Sequence, residues 1–306
     1  MTYAQTIEYA KNMWMSEYGG SIDKIPLIIH TDQHSYMNPT NSKAMWDAVD
    51  STVSWYDVSK VINLGDTTNS YANYNDPVLG DSSLNNYLKA TANVPFSKRI
   101  EVFGNHDCGS IIDSTLTYIK QEPSYLNPYF KNPLARRTSN NGYFVIYDGY
   151  FNVKYVVYSN YDYVDSSNCE FVSPSQYEFL IDELTKNDGY DIIMLGHQDG
   201  DIYGEKVSTI IAARHNKSSG SFTLRGKTYS YDFTGCERNL LVCLHGHNHN
   251  DNYNYGMGVL SQGFDNYYDD TRPFYFVIVD RSGSQLKAWK VTNTPDYTTY
   301  TRPFTS

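Results

Sequence analysis

The sequence predicts an α/β fold in which two packed β-sheets are flanked by helices. Three observations support this. Five short runs rich in Val, Ile and Leu each end in a knot of polar residues. Stretches with helical apolar spacing lie between them. Three further strand pairs have turn residues at their centres, which adds antiparallel hairpins to the strand–helix alternation.

Residues 3–18 put Ile7, Ala10, Trp14 and Tyr18 on one helical face. The five apolar runs are IPLIIHT, VSKVINLG, KRIEVFG, DIIMLG and NLLVCLHG. Residues 41–55 read as a helix capped by Asn41 or Ser42, with Met45, Trp46, Val49 and Val53 inward. Residues 173–186 read as a second, with Ser173 as cap, Pro174 in the first turn and Gln176 completing a capping box. Hairpins are expected over 143–159, 221–233 and 272–292. Their turns are at Asp148-Gly149, Arg225-Gly226 and Ser282-Gly283. Residues 109–141 read as an inserted loop region and AARHNKSSG as a polar loop. NTPDYTTYTRPFTS (293–306) reads as a polar tail. One domain is expected over 1–306, with a helix and linker to residue 25 and a core over 26–292.

The 306 residues are 40% hydrophobic and 19% charged, ample for a core, and include 30 tyrosines that suit half-buried strands and wet grooves. A formal charge of −10 argues against non-specific nucleic-acid or anionic-membrane partners. Cys108, Cys169, Cys236 and Cys243 form no CxxC pair, so no disulfide framework or zinc knuckle is indicated. The opening residues lack a basic start with an apolar core, and no run is long enough to span a bilayer. The expected setting is cytoplasmic. A phage particle or cell-surface assembly is the alternative if the chain is a module of a larger protein. The oligomeric state stays open.

The polar knots hold Asp32 and His34; Asp66; Asn105, His106 and Asp107; His197; and His247 and His249. Five of the eight histidines sit there, which points to convergence on metal. Imidazole with carboxylate and amide oxygen suits Mn, Fe, Zn, Co or Ni better than Ca or Mg. About seven ligands exceed one tetrahedral ion and fit two ions ~3.5–4 Å apart. Asp32-x-His34 and His247-x-His249 are pairs whose members can face one side of an extended backbone.

The blocks TDQH, LGDTTN, FGNHDCG, LGHQ and HGHNH, in this order, resemble the calcineurin-like metallophosphoesterase superfamily over about residues 26–292. That resemblance implies a four-layer αββα sandwich and two divalent or trivalent ions, of Mn, Fe, Zn or Ni. Asp32, His34 and His249 would hold one ion, Asn105, His197 and His247 the other, and Asp66 would bridge. His106 would act as general acid or transition-state donor, with Asp107 fixing its loop. Asn105, His106 and Arg214 are the candidate substrate contacts, although for Arg214 a solvated loop is the preferred reading. His30 and His245, outside the matched positions, read as packed or supporting residues. Asn69 and Ser70 stand where the protein-phosphatase branch has Asp and Arg; a Tyr diagnostic of the purple acid phosphatases is absent too. Both branches are disfavoured.

Two divalent ions against Asp32 and Asp66 leave about +2, enough to draw a phosphate into an acidic protein. The expected reaction is in-line attack of a metal-bridging hydroxide on a phosphodiester or phosphomonoester, small or polymeric, with diesters preferred. A nuclease of the same superfamily and a non-catalytic partner-binding scaffold are the alternatives.

Overall fold

A computed structural model of the chain describes residues 3–33, 39–67, 86–108, 111–112, 118–119, 142–160, 172–199, 205–265, 273–292 and 297–305. At residues 3, 39–42, 106, 108, 111–112 and 118–119 it describes the backbone alone. The main elements are α1 (Tyr3–Tyr18), β1 (Lys24–His30), α2 (Pro39–Thr52), β2 (Lys60–Asn63), β3 (Arg99–Glu101) and a single turn, α3 (Asn105–Cys108). Two short strands, β4 (Ile111–Ile112) and β5 (Tyr118–Ile119), pair with each other. Then come β6 (Phe144–Asp148), β7 (Val153–Val157), α4 (Pro174–Thr185), β8 (Asp191–Leu195) and α5 (Val207–His215). The chain continues through β9 (Ser219–Leu224), β10 (Lys227–Asp232), β11 (Leu240–His245), β12 (Tyr253–Asn254) and β13 (Ser261–Gly263). It closes with β14 (Phe274–Asp280), β15 (Gln285–Val291) and β16 (Tyr297–Pro303).

Two six-stranded mixed sheets make the body. One has the order β16-β15-β14-β1-β2-β3 and the other β12-β13-β11-β8-β7-β6. Strands β1, β2 and β3 are mutually parallel, as are β7, β8, β11 and β13. In the second sheet the side chains sort by the strand period of two. Phe144, Ile146, Tyr155, Val157, Ile193 and Leu195 join the core shared with the first sheet. Val145, Val156, Ile192 and Met194 join a separate core beneath α4, α5 and the β9–β10 hairpin. Burial on both faces explains why these strands read as unbroken apolar runs. On the first sheet α1 packs against β14, β15 and β1, with Trp14 Nε1 donating to Val277 O at 2.9 Å. The four expected layers are therefore present. Among the described residues no helix is long and apolar enough to cross a membrane.

Three expectations need correction. The stretch assigned to a polar tail forms β16, which pairs along the free edge of β15 and seats Phe304 in the core. Polar Thr and Tyr alternation hid a strand whose outer face is wet. AARHNKSSG is the end of α5 and the start of β9, because Val207, Ile210, Ile211 and Ala213 have a core to bury into. The capping box at α4 is half formed. Ser173 Oγ accepts the Gln176 N–H at 3.2 Å. The Gln176 amide instead bridges Ser159 N–H and Ser159 O, both at 2.7 Å, tying α4 to the end of β7.

Candidate metal centre

The parallel strands of both sheets end at the same pole. Asp32, Asp66 and Asn105 follow β1, β2 and β3; His197 follows β8; His247 and His249 follow β11. Backbone pairing continues past the strands, from Asp32 N–H to Gly65 O at 2.8 Å and from Gly246 N–H to His197 O at 2.9 Å. The loops holding these side chains are thereby fixed to one another.

His197 Nε2 lies 3.3 Å from Asp66 Oδ2, 3.2 Å from Asn105 Oδ1 and 3.3 Å from His247 Nδ1. Asp66, His197 and His247 each offer a ligand atom within 4.8 Å of the others. The His197 Nδ1–H is committed to Leu64 O at 2.7 Å, so in the neutral ring Nε2 is an acceptor. Carboxylate, amide oxygen and imidazole lone pairs then converge with no donor among them, and that set fits a cation. The protonation behaviour agrees. Burial works against charge on His197, yet Asp66 and Asp32 outweigh it and push its pKa up to about 9, so a proton substitutes for the cation. Burial and the neighbouring His197 hold His247 down to about 4.

A second group lies alongside. His249 Nε2 is 3.1 Å from Asp32 Oδ1. Asp32 Oδ2 accepts Thr31 Oγ1–H at 2.6 Å and the His247 N–H at 3.0 Å. Burial alone would raise the Asp32 pKa; the His249 bond reverses this and lowers it. That same bond raises the pKa of His249. His34 lies outside the described residues, as does the side chain of His106.

The backbone here is not extended, which corrects the reason given for the i, i+2 pairs. Asp32 (φ 51°), Asp66 (φ 53°), His247 (φ 68°) and His249 (φ 52°) are all left-handed. They are four of the eight non-glycine positive-φ residues described, so strain concentrates on the candidate ligand positions. As a result His247 and His249 serve different groups: His247 Nδ1 faces His197, and His249 Nε2 faces Asp32.

The glycine before each of three turns is needed for close approach. A Cβ on Gly104 would meet Asp66 Oδ1 at 2.1 Å; one on Gly65 would meet His197 Nδ1 at 2.6 Å; one on Gly246 would meet Thr31 Oγ1 at 1.9 Å. Asp107 Oδ2 accepts the Gly104 N–H at 3.0 Å.

Residues that sequence reasoning passed over complete the support. The Gln198 amide lies 2.7 Å from His247 Nε2, and its Oε1 has no other partner. With the amide turned over, Oε1 accepts Nε2–H and leaves the Nδ1 lone pair facing the site. Asn63 accepts the Gly65 N–H and donates to buried Glu101 at 2.9 Å, bracing the turn before Asp66. Only the adjacency of Gln198 to His197 in LGHQ hinted at such a role. His30 is packed edge-on against Trp46, and burial lowers its pKa to about 3. His245 is buried behind the site.

Arg214 does not join this cluster. Its guanidinium donates to Leu184 O at 2.7 Å and Arg238 O at 2.8 Å, beside Asp191 and Leu240 at the opposite ends of β8 and β11. Proximity in sequence to the His197 block misled, because α5 runs back along the outside of the sheet.

Residues 25–251 match the family model for calcineurin-like phosphoesterases. The chain belongs to the calcineurin-like phosphoesterase family. It is accordingly a metal-dependent phosphoesterase, with divalent ions as the implied cofactors. The fold of this phosphoesterase is shared with the crystal structure of a dimetal phosphatase from Danio rerio. The two are 10% identical with a TM-score of 0.62, over 92% of this chain and 99% of that one. A Streptococcus pneumoniae protein assigned to the phosphoesterases also aligns, at 12% identity and a TM-score of 0.37, over 91% and 98% of the two chains. No curated protein matches the phosphoesterase sequence.

Proposed function

We propose that this phosphoesterase is dinuclear and hydrolyses phosphodiesters in preference to monoesters. The supporting observation is the pair of donor groups at one pole, His197/His247/Asn105 and Asp32/His249, with Asp66 beside the first. Its imidazole, carboxylate and amide donors suit Mn, Fe, Zn or Ni. The ions, when bound, would supply Lewis-acid charge that activates water and neutralises phosphoryl oxygens.

The chain's own residues do the rest. Asp66 and Asn105 contribute oxygens to the first group, and His34 would complete the second. Thr31 and the His247 N–H fix Oδ2 of Asp32, so Oδ1 keeps one direction. His106, next to Asn105, gives a proton to the leaving oxygen, a contribution of ~10²–10⁴-fold. The departures at Asn69 and Ser70 favour a small ester over a phosphoprotein. The test is turnover of bis(p-nitrophenyl) phosphate against p-nitrophenyl phosphate with Mn, Zn, Fe or Ni loaded. Faster diester hydrolysis that collapses in His106→Ala while metal stays bound supports the proposal. No turnover of either ester with any metal sinks it.

A further inference from the structure

The side of the second sheet remote from the metal centre has a cleft of about 270 Å³. It opens where β8 and β11 begin, lined by Asp191, Leu240 and Leu241. The six residues from Asp191 to His197 put it roughly 20 Å from the metal pole at ~3.3 Å per residue. Arg214, Lys217 and Arg281 also line it, against the single carboxylate of Asp191.

Its charges are unevenly matched. Arg281 is engaged by Asp191 at 3.1 Å and by Asp23 at 3.7 Å. Arg214 is 1% exposed and, among the described residues, forms no ion pair. Its bonds go to neutral carbonyls, and its Nη1 has no partner among the described residues. Arg281 Nε, on the same cleft, is likewise buried without one. Among the described residues Lys217 Nζ bonds to a carbonyl, Glu237 O, at 3.1 Å. Asp191 and Asp188 act on the Arg214 guanidinium through space but make no ion-pair contact with it among the described residues, and two orphaned N–H donors on one cleft carry a desolvation cost. A bound anion relieves that cost.

We propose that this cleft is a second binding site, for a small phosphate-type oxyanion carrying an apolar group. Arg214, Lys217 and Arg281 take the charged oxygens, and Phe304, Leu240 and Leu241 form the apolar wall. The volume admits a small molecule. The site depends on none of the residues assigned to the metal centre, so it stands whether or not the proposed reaction does.

The test is calorimetric titration of phenylphosphonate, whose P–C bond resists hydrolysis, into the full chain. His247→Ala disables the metal centre; Lys217→Gln and Arg281→Gln each remove one distal charge. All three are checked for a native-like melting transition. Arg214 itself is left in place, since so buried a side chain is needed for folding. The expected result is binding that persists in His247→Ala and weakens ~10-fold or more in Lys217→Gln and in Arg281→Gln. Loss of binding in His247→Ala with retention in both distal variants assigns the ligand to the metal centre and overturns the proposal. No heat at millimolar phenylphosphonate overturns it as well.

Discussion

Replacing Gly104 by Ala tests how tightly the metal pole is assembled. Gly104 does not have a positive φ, so alanine meets no backbone penalty there. The obstacle is steric. The new Cβ would lie 2.1 Å from Asp66 Oδ1, 2.5 Å from Asp66 N and 2.8 Å from Asp66 Cγ. Ordinary contact starts near 3.4 Å, so the carboxylate must yield by about 1.3 Å. A rotation of Asp66 is not enough, because its backbone nitrogen is also struck and its other oxygen lies 3.3 Å from His197 Nε2. Misplacement by ~1 Å costs ~10²-fold in rate, and overpacking costs ~1–3 kcal/mol of stability. The assay pairs metal affinity by calorimetry with diester turnover and a urea melt. Gly235→Ala is the control, since nothing lies within 4 Å of a Cβ there. A folded Gly104→Ala chain that binds metal as tightly as the parent and turns over at the parental rate would refute the reasoning.

Three other outcomes are expected. Gln198→Leu strips the partner from His247 Nε2 and should weaken metal binding ~10–100-fold, whereas Gln198→Glu should keep it; equal affinity in all three chains removes Gln198 from the site. Gln176→Ala removes the two bonds that its amide makes to the Ser159 backbone and should cost about 2–4 kcal/mol in urea unfolding, with metal affinity unchanged. Metal loading at pH 7 should release a proton, because the raised pKa of about 9 keeps His197 protonated until an ion displaces it. Affinity then climbs with pH and levels off above that value. Calorimetry in two buffers of different ionisation enthalpy reads the release directly, and a zero result contradicts the reading of four converging acceptors.

Much of the architecture was legible because burial on two faces writes long apolar runs into a sequence. DIIML and LLVCLH are β8 and β11, and their polar successors are the residues that meet at the metal pole. Turn chemistry was legible for a similar reason: Arg225-Gly226 requires left-handed backbone, and both residues adopt it, at φ 48° and 77°. Edge strand β16 was not legible, since TTYTRP gains its order from hydrogen bonds to β15 and not from an apolar pattern of its own. Nor was the conformation of the candidate ligand loops, where Asp and His take left-handed angles that their letters do not announce.

Arg214 shows where chain order stops being a guide to space. Its 17-residue separation from His197 suggested a shared cleft, as loops after a ligand strand commonly supply. Three features of the helix decide otherwise. Val207, Ile210 and Ile211 bind α5 to the outer face of the second sheet, so the chain travels away from the strand ends. Tyr177 OH also donates to Glu205, pinning the start of α5 to α4. By its last turn α5 has reached the amino ends of β8 and β11, and Arg214 turns inward there between Leu184 O and Arg238 O. Arg214 therefore belongs to the opposite pole, on the wall of the cleft where β8 and β11 begin.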